Sequence, residues 1–322
     1  MEKSYTIVID TLGSDKGPTA ILEGCKLVLE KFQNVKLIIV GQEELISSYD
    51  FPKDRIRIIE ANDTITNLDN IKEALFKKRD ASIFKALAEC ANNDEVIGLI
   101  CAGNTGALLA GSLRYLLNEK RTRPALAAIL PTTVQGKFTC LVDTGASIDC
   151  GSEQLIEFAH LGTDFMRKLY KVESPRVALL SNGTEPTKGN ALIKETHKLL
   201  AHEEGINFVG NVEGSNALNY NCDVLVADGF VGNQLLKITE GSAKNFIMEI
   251  MKFGKITGNE AVSKQIVGHL MSIYNFESLG AGILLGAKKY CLKCRGSSGP
   301  DAILSAAHIL LNITENKTFY EN

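Results

Sequence analysis

Short apolar runs alternate along the chain with longer segments in which apolar residues recur at helical spacing. Residues 96–101 (VIGLIC) form one such run, and Leu108, Leu109 and Leu113 follow it at the spacing of one helix face. A run of this length and branching is typical of a strand buried on both faces, and the later leucines predict an amphipathic helix. The same pattern predicts strands at residues 5–10, 35–41, 56–60, 96–101, 124–131, 138–142, 176–180, 206–209, 223–227 and 288–294.

The order of the predicted elements indicates the fold class. Strands that alternate with helices over nearly the whole chain favour parallel pairing with right-handed crossover connections. The expected fold is therefore α/β, a three-layer α/β/α sandwich. Since no internal repeat, low-complexity tract or Pro/Ser-rich linker divides the sequence, we expect one α/β domain over residues 1–322.

Composition narrows the classes of protein that remain. The chain has 322 residues, 45% of them hydrophobic, and a net charge of −3, which argues against nucleic acid as an obligatory partner. No apolar run approaches the roughly 18 residues of a membrane span, and the amino terminus runs directly into a predicted strand, so we expect no signal peptide. The eight cysteines of such a chain are expected to be reduced thiols. A cytoplasmic location follows as an expectation.

Glycine recurs together with Asp, Asn or Thr immediately after five of the predicted strands. A turn of this kind directs unpaired backbone N–H groups, and the positive end of the following helix, at one point where an anion can bind. Capping of the helix explains any single turn equally well. Because the carboxyl ends of parallel strands meet at one edge, the five together predict a polar binding cleft. The turns are residues 10–17, 103–106, 143–149, 183–190 and 228–233.

The side chains available in that cleft limit the classes of reaction that the protein can catalyse. The sequence contains no G-x-S-x-G elbow, no Walker phosphate loop and no H-E-x-x-H motif. Cys291 and Cys294 fall in a predicted strand, where an offset of three places their thiols on opposite faces, so no metal is expected. Lys188 is the foremost cation, and Asp143 and Asp228 either orient donors, take a proton or cap helices. This set suits attack of phosphate on an activated acyl carbonyl.

Several blocks in order resemble the phosphate acyltransferases of bacterial phospholipid synthesis, which make acyl phosphate from acyl-acyl carrier protein and inorganic phosphate. The resemblance runs from Ile7 to about Ala307. The blocks are AGNTGAL (102–108), RPALAAILP (123–131), VDTGASIDC (142–150), the G-x-E-x-x-K-G-N run (183–190), GNVEG (210–214) and DGFVGN (228–233).

The resemblance implies a Rossmann-like fold, similar to isocitrate and isopropylmalate dehydrogenases and to phosphate acetyltransferases. It also implies a homodimer without a metal or nucleotide cofactor, and peripheral membrane contact through paired helices at about residues 246–276. A helix pair that buries the same apolar face at a dimer interface is the alternative. The residues of that face would be Phe246, Ile247, Met248, Ile250, Met251, Phe253, Ile266, Val267, Leu270, Met271, Ile273, Tyr274 and Phe276.

The chain departs from the family pattern at several positions. Ser14 replaces a glycine of the first turn, although Asp10 and Asp15 both remain. Arg295 and Gly299 replace the His and Asp that flank a Gly-Ser-Ser sequence near the carboxyl end, and Arg295 is still able to bind phosphate. The family's Gly-Gly-Ala-Pro-Leu-Leu-Gly is altered at residues 279–286.

The first hypothesis is an acyltransferase that uses acyl-acyl carrier protein and phosphate, with Lys188, Asp228 and Asp143 as catalytic residues. A short-chain phosphate acetyl- or butyryltransferase that uses coenzyme A is one alternative. A non-catalytic relative that binds carrier protein or membrane is the other. The expected phosphate- and substrate-binding residues are Asp10, Ser14, Asp15, Gly103, Asn104, Thr105, Gly106, Asp149, Gly189, Asn190, Gly229, Gly232, Asn233, Arg295, Ser297 and Ser298.

Overall fold

The computed structural model describes residues 3–66, 68–118, 122–273 and 281–315. At residues 272 and 273 it describes the backbone only. The strands are β1 (Tyr5–Asp10), β2 (Val35–Gly41), β3 (Ile56–Glu60), β4 (Val96–Cys101), β5 (Ala125–Pro131), β6 (Phe138–Val142), β7 (Arg176–Ser181), β8 (Asn207–Glu213), β9 (Val224–Val226), β10 (Ala281–Leu285) and β11 (Tyr290–Cys294). The helices are α1 (Gly17–Lys31), α2 (Glu43–Ser47), α3 (Ile71–Lys77), α4 (Ser82–Asn92), α5 (Thr105–Tyr115), α6 (Ser152–Tyr170), α7 (Ala191–Leu200), α8 (Gly229–Thr257), α9 (Glu260–Ile273) and α10 (Pro300–Glu315).

The chain divides into two compact units. Unit 1 contains the described residues of Met1–Pro124, Lys168–Tyr170 and Gly280–Asn322, and unit 2 contains those of Ala125–Arg167 and Lys171–Leu279. Each unit has its own strands and its own helices on both faces of them. That the whole chain acts as one domain stays a prediction.

The strands of unit 1 lie in the order β3-β2-β1-β4-β11-β10. Pairing is parallel throughout except between β10 and β11, which are antiparallel. The sequence pattern did not predict β10, and its pairing with β11 is antiparallel because the connection of residues 286–289 is too short to hold a crossover helix. Parallel pairing brings the ends of β1, β4 and β11 to one edge.

Helices cover both faces of the unit 1 strands. On one face Val8 and Ile38 pack in a buried cluster with Phe84 and Leu87 of α4, and α3 and α5 complete that layer. On the other face the missing side chain of Gly98 leaves room for Leu310 of α10, and α1 packs against α10. Alternate residues of a strand point to opposite faces, so the side chains of the branched runs are buried under a helical layer on each face.

The strands of unit 2 lie in the order β5-β6-β9-β7-β8. The pairs β6–β9, β9–β7 and β7–β8 are parallel, as predicted, whereas β5 and β6 are antiparallel. The parallel prediction is wrong for that pair because only residues 132–137 connect the two strands.

Unit 2 is also layered on both faces. Gly162 of α6 lies directly against Val142 and Val224, where a side chain would not fit. Leu141 and Leu225 point the other way into a cluster that includes Leu235 at the start of α8. Both units are therefore α/β/α sandwiches, and the predicted fold class is confirmed.

Helices α8 and α9 form a hairpin in unit 2. Gly254 lies so close to Ser263 of α9 that a methyl group would overlap the serine side chain, and Gly258 ends α8 with a left-handed φ of 69°. Phe246, Met248 and Phe253 are exposed on α8. Ile247, Ile250, Met251, Val267 and Leu270 of the predicted apolar face are half-buried, whereas Ile266 and Met271 are exposed. The Ile273 side chain, Tyr274 and Phe276 lie outside the described residues.

Candidate active site

Asp143 organises the turn that follows β6. Its carboxylate accepts hydrogen bonds from the backbone N–H groups of Gly145, Ala146 and Ser147 at 3.2, 3.0 and 2.6 Å, and from that of Leu126 at 2.9 Å. Burial raises the pKa of this carboxyl, while the four N–H donors oppose the rise. The capping alternative is wrong for Asp143, since α6 begins later with Gly151 as its N-cap. Its role in the structure is to hold the turn together.

Asp228 caps α8, as the capping alternative proposes. Its Oδ1 accepts from Phe230 N at 3.0 Å and from Val231 N at 2.8 Å. Gly229 N donates to Ser147 O at 2.8 Å, and Gly232 N donates to the carbonyl of Asp228 at 2.9 Å. The first N–H groups of this helix therefore already have acceptors within the protein.

Close glycine contacts join the Asp228 turn to the Asp143 turn. A methyl group on Gly232 would overlap the carbonyl oxygen of Asp143, and one on Gly229 would lie 2.7 Å from Ser147 O. The Asn233 side-chain nitrogen would stand 3.4 Å from a methyl group on Gly145. The predicted residues Asp143, Gly229, Gly232 and Asn233 are thus brought together, because only glycine permits this approach of backbone to backbone.

The Lys188 turn follows β7 at the same edge of unit 2. Pairing of Leu179 with Val226, and of Val226 with Val142, places the ends of β7, β9 and β6 side by side. Lys188 N donates to Glu185 O at 3.0 Å, and Gly189 N donates to Asn182 Oδ1 at 2.9 Å. The aliphatic part of the Lys188 side chain lies against Gly183, at the place where a side chain on residue 183 would stand. Lys188 itself is exposed.

In unit 1, three turns meet at the ends of β1, β4 and β11. Gly13 has a φ of 80° and packs against Gly103, since a methyl group on it would lie 3.0 Å from the Gly103 Cα. The carbonyl oxygen of Gly296 accepts from Ser14 Oγ at 3.0 Å and from Asp15 N at 2.9 Å. The Ser14 side chain therefore joins the first turn to residues 295–298.

Asp10 is a buried carboxyl beneath these turns. Burial raises its pKa to about 7, against the lowering effects of the Ser82 hydroxyl, the Leu12 N–H and the Lys293 ammonium. Leu12 N donates to its Oδ1 at 3.1 Å. Lys293 Nζ donates to the carbonyl oxygens of Ala102 and Cys294 at 3.3 and 2.5 Å. Lys293 was not predicted from the sequence, because nothing in its local pattern shows that it reaches the end of β4.

Helices α5 and α7 keep unused N–H groups at their first positions. Asn104 caps α5 by accepting from Ala107 N, and Asn190 caps α7 by accepting from Ile193 N, both at 2.9 Å. Within the described part of the chain, the N–H groups of Thr105 and Gly106, and those of Ala191 and Leu192, meet no protein acceptor. These amides, and not those of α8, are the available backbone donors for an anion. The predicted residues Asp149 and Ser297 are exposed, and Ser298 N donates to Arg295 O at 3.0 Å.

The cysteine pair of β11 has the geometry expected of alternating strand positions. Cys291 packs with the cluster that contains α4, whereas Cys294 Sγ faces Ala302 O of α10 at 3.7 Å. Burial raises the pKa of both thiols, that of Cys294 to about 12. Over residues 3–66, 68–118, 122–273 and 281–315, no group of three or more His, Cys, Asp or Glu side chains is placed to hold a metal ion.

The fold belongs to the class of Rossmann-like α/β/α proteins that includes phosphotransacylases. A phosphotransacetylase from Streptococcus pyogenes matches with a TM-score of 0.63 and 16% identity, over 98% of this chain and 94% of that one. A branched-chain phosphotransacylase from Enterococcus faecalis matches with a TM-score of 0.60 and 17% identity, over 96% and 98%. At such identities the likeness concerns the fold alone.

Sequence similarity then gives the particular family. The family described as "Fatty acid synthesis protein" matches residues 5–318, and the chain belongs to it. Proteins named phosphate acyltransferase are 38% identical in Halothermothrix orenii, over 94% of this chain and 93% of that protein, and 37% identical in Clostridium botulinum, over 98% and 95%. The resemblance drawn from the sequence blocks is confirmed. None of the described helices is both long and apolar enough to cross a bilayer.

Proposed function

We propose that the protein transfers the acyl group of acyl-acyl carrier protein to inorganic phosphate, as a phosphate acyltransferase. The observation that carries this proposal is the 38% identity to a phosphate acyltransferase over 94% of the chain. A phosphate oxygen attacks the thioester carbonyl, the carbon–sulfur bond breaks, and the products are acyl phosphate and the carrier thiol, which takes up a proton. The phosphotransacylase structures support the fold but give no separate reason to prefer coenzyme A as the donor.

The residues of the candidate site suggest a division of roles in this reaction. In unit 2, Lys188 supplies a positive charge on the turn that leads into α7, and the open amides of α7 supply backbone donors for phosphate. Both carboxylate oxygens of Asp143 and the Oδ1 of Asp228 accept backbone N–H groups, so we assign these residues to shaping the turns rather than to moving a proton. Phosphate brings the nucleophile and the carrier brings the leaving group, so positioning and charge stabilisation are the main contributions left to the protein.

The association of the protein with itself and with lipid forms a further part of the proposal. We propose a cytoplasmic homodimer that contacts the inner face of the membrane through the α8–α9 hairpin. Its support is the exposed apolar surface of Phe246, Phe253 and Ile256 on α8, with Val262 on α9. Lys252 and Lys255 flank that surface and suit an anionic headgroup layer.

Incubation of the purified protein with phosphate and a thioester donor tests the reaction directly. Acyl phosphate should form from palmitoyl-acyl carrier protein and not from acetyl-coenzyme A. Turnover of acetyl-coenzyme A alone would support the short-chain alternative. Formation of no acyl phosphate from either donor would support a non-catalytic role. Replacement of Lys188 by Ala should raise the KM for phosphate, and an unchanged KM would remove Lys188 from the site.

A further inference from the structure

The carbonyl oxygen of Glu185 is the point at which the Lys188 turn is fixed. It accepts the N–H of Lys188 at 3.0 Å, which closes the turn, and it also accepts the side-chain amide of Asn211 Nδ2 at 3.0 Å. Asn211 lies on β8, next to β7, and is 6% exposed. One buried side chain from a neighbouring strand therefore holds the backbone that presents Lys188.

The orientation of the Asn211 amide follows from its two partners. A carbonyl oxygen only accepts, so the group facing Glu185 O must be the NH2 of the amide. The Asn211 Oδ1 then faces His197 Nδ1 at 2.9 Å and must accept a hydrogen bond from the N–H at that nitrogen. His197 of α7 thus carries its proton on Nδ1, and its ring packs edge-on against Phe208 with 5.0 Å between centroids. The histidine, the asparagine and the turn form one chain of hydrogen bonds.

We propose that Asn211 is a positioning residue for phosphate, with His197 as the residue that orients it. This inference rests on the proposed function, in which Lys188 contacts phosphate. Loss of the Asn211 donor leaves the Glu185 carbonyl without its anchor to β8, so the Lys188 turn loses its fixed position. The asparagine itself does not touch the substrate, and its effect must therefore pass through Lys188.

The test compares Asn211→Asp with a matched control on the same strand. Asn211→Asp keeps the size of the side chain and the acceptor for His197 but removes the donor to Glu185. Asn207→Asp makes the same change at the other end of β8, where the amide donates to Ser174 O at 3.3 Å. The measurements are the Kd for inorganic phosphate by calorimetry, and KM and kcat with palmitoyl-acyl carrier protein.

Asn211→Asp should raise the Kd and KM for phosphate about tenfold, the equivalent of one lost hydrogen bond, and leave kcat at saturating phosphate within about twofold. Asn207→Asp should change neither value. In a Lys188→Ala background, Asn211→Asp should add no further loss, because the two residues act through one contact. A Kd for Asn211→Asp equal to that of the control, or a full additional loss without Lys188, would overturn the inference.

A second variant keeps the test decisive if Asn211→Asp does not fold. His197→Phe retains a ring against Phe208 but removes the donor to Asn211, and it should raise the phosphate Kd about threefold as part of a hydrogen bond is lost. An unchanged Kd in that variant would contradict the inference. Lack of turnover in the wild type would overturn the proposed reaction alone, whereas lack of phosphate binding by the wild type would overturn both.

Discussion

At the scale of single residues, the carboxylates of Asp143 and Asp228 in unit 2 and of Asp10 in unit 1 have different surroundings and different roles. Asp143 and Asp228 accept hydrogen bonds from backbone N–H groups and each holds one turn, although burial still raises the pKa of Asp143. Asp10 has one backbone donor and is 1% exposed, so burial dominates and its pKa rises to about 7. Asp10 is therefore a residue at which the stability of unit 1 becomes sensitive to pH.

We predict that Asp10→Asn flattens the dependence of stability on pH. The folded-state pKa of about 7 lies above the ordinary aspartate pKa of 3.8, so between those pH values the folded protein holds a proton that the unfolded chain has lost. The free energy of unfolding should thus fall as pH rises from about 4 to about 7, by an amount on the order of 4 kcal/mol. Asparagine has no charge to bury. Denaturant unfolding at pH 5 and pH 8 should show a smaller difference in the variant than in the wild type.

Asp54→Asn provides the control for this prediction, because Asp54 is an exposed carboxylate in the same unit. Its substitution should leave the pH dependence of unfolding as in the wild type. If Asp10→Asn and the wild type lost the same free energy of unfolding between pH 5 and pH 8, Asp10 would not be the group responsible for the pH dependence.

At the scale of elements, the start of α8 depends on the contact between Gly232 and the Asp143 turn. We predict that Gly232→Ala destabilises the protein by about 1–3 kcal/mol, since its methyl group would overlap the Asp143 carbonyl oxygen. Helix propensity alone would favour alanine over glycine at this position. Thermal and denaturant unfolding measure the change, and phosphate binding should weaken with it if the turn serves the site.

Gly241→Ala separates packing from propensity on the same helix. Gly241 has no atom within 4 Å of the position of a methyl group, so this substitution should stabilise the protein by up to about 1 kcal/mol. If the two variants changed stability in the same direction, the overlap at Gly232 would not be the controlling factor.

Sequence patterns predicted the elements better than their connections. The apolar runs located ten of the eleven strands in the described part of the chain and missed β10, and capping by Asp228 was one of the alternatives that its residue type and position gave. The antiparallel β5–β6 pair was missed although the short connection at 132–137 was a readable signal, and the β10–β11 pair was missed because β10 itself was not predicted. Asn211 and Lys293 were missed for a stronger reason. Each acts on a turn that is far away in sequence, Glu185 in one case and Ala102 in the other, and only strand order shows that they meet.

At the scale of the whole molecule, the exposed face of the α8–α9 hairpin is the feature that the two sandwiches do not use. Phe253 is 66% exposed, and Phe246 and Ile256 are similarly exposed on the same helix. Close packing at Gly254 and Ser263 fixes the two helices together without covering that face. An apolar surface of this kind marks contact with a membrane or with another protein.

We predict that Phe253→Ser lowers the partition of the protein onto vesicles of phosphatidylglycerol and phosphatidylethanolamine by about tenfold or more. Removal of a buried phenylalanine side chain from the lipid interface costs roughly 1.5–3 kcal/mol. Phe76→Ser is the matched control, because Phe76 on α3 is also 66% exposed but lies outside the hairpin, and it should leave binding unchanged. Vesicle flotation measures the partition, and light scattering measures the oligomeric state. If Phe253→Ser gave monomers from dimers and kept its affinity for vesicles, the hairpin face would be a subunit interface and not a lipid-binding surface.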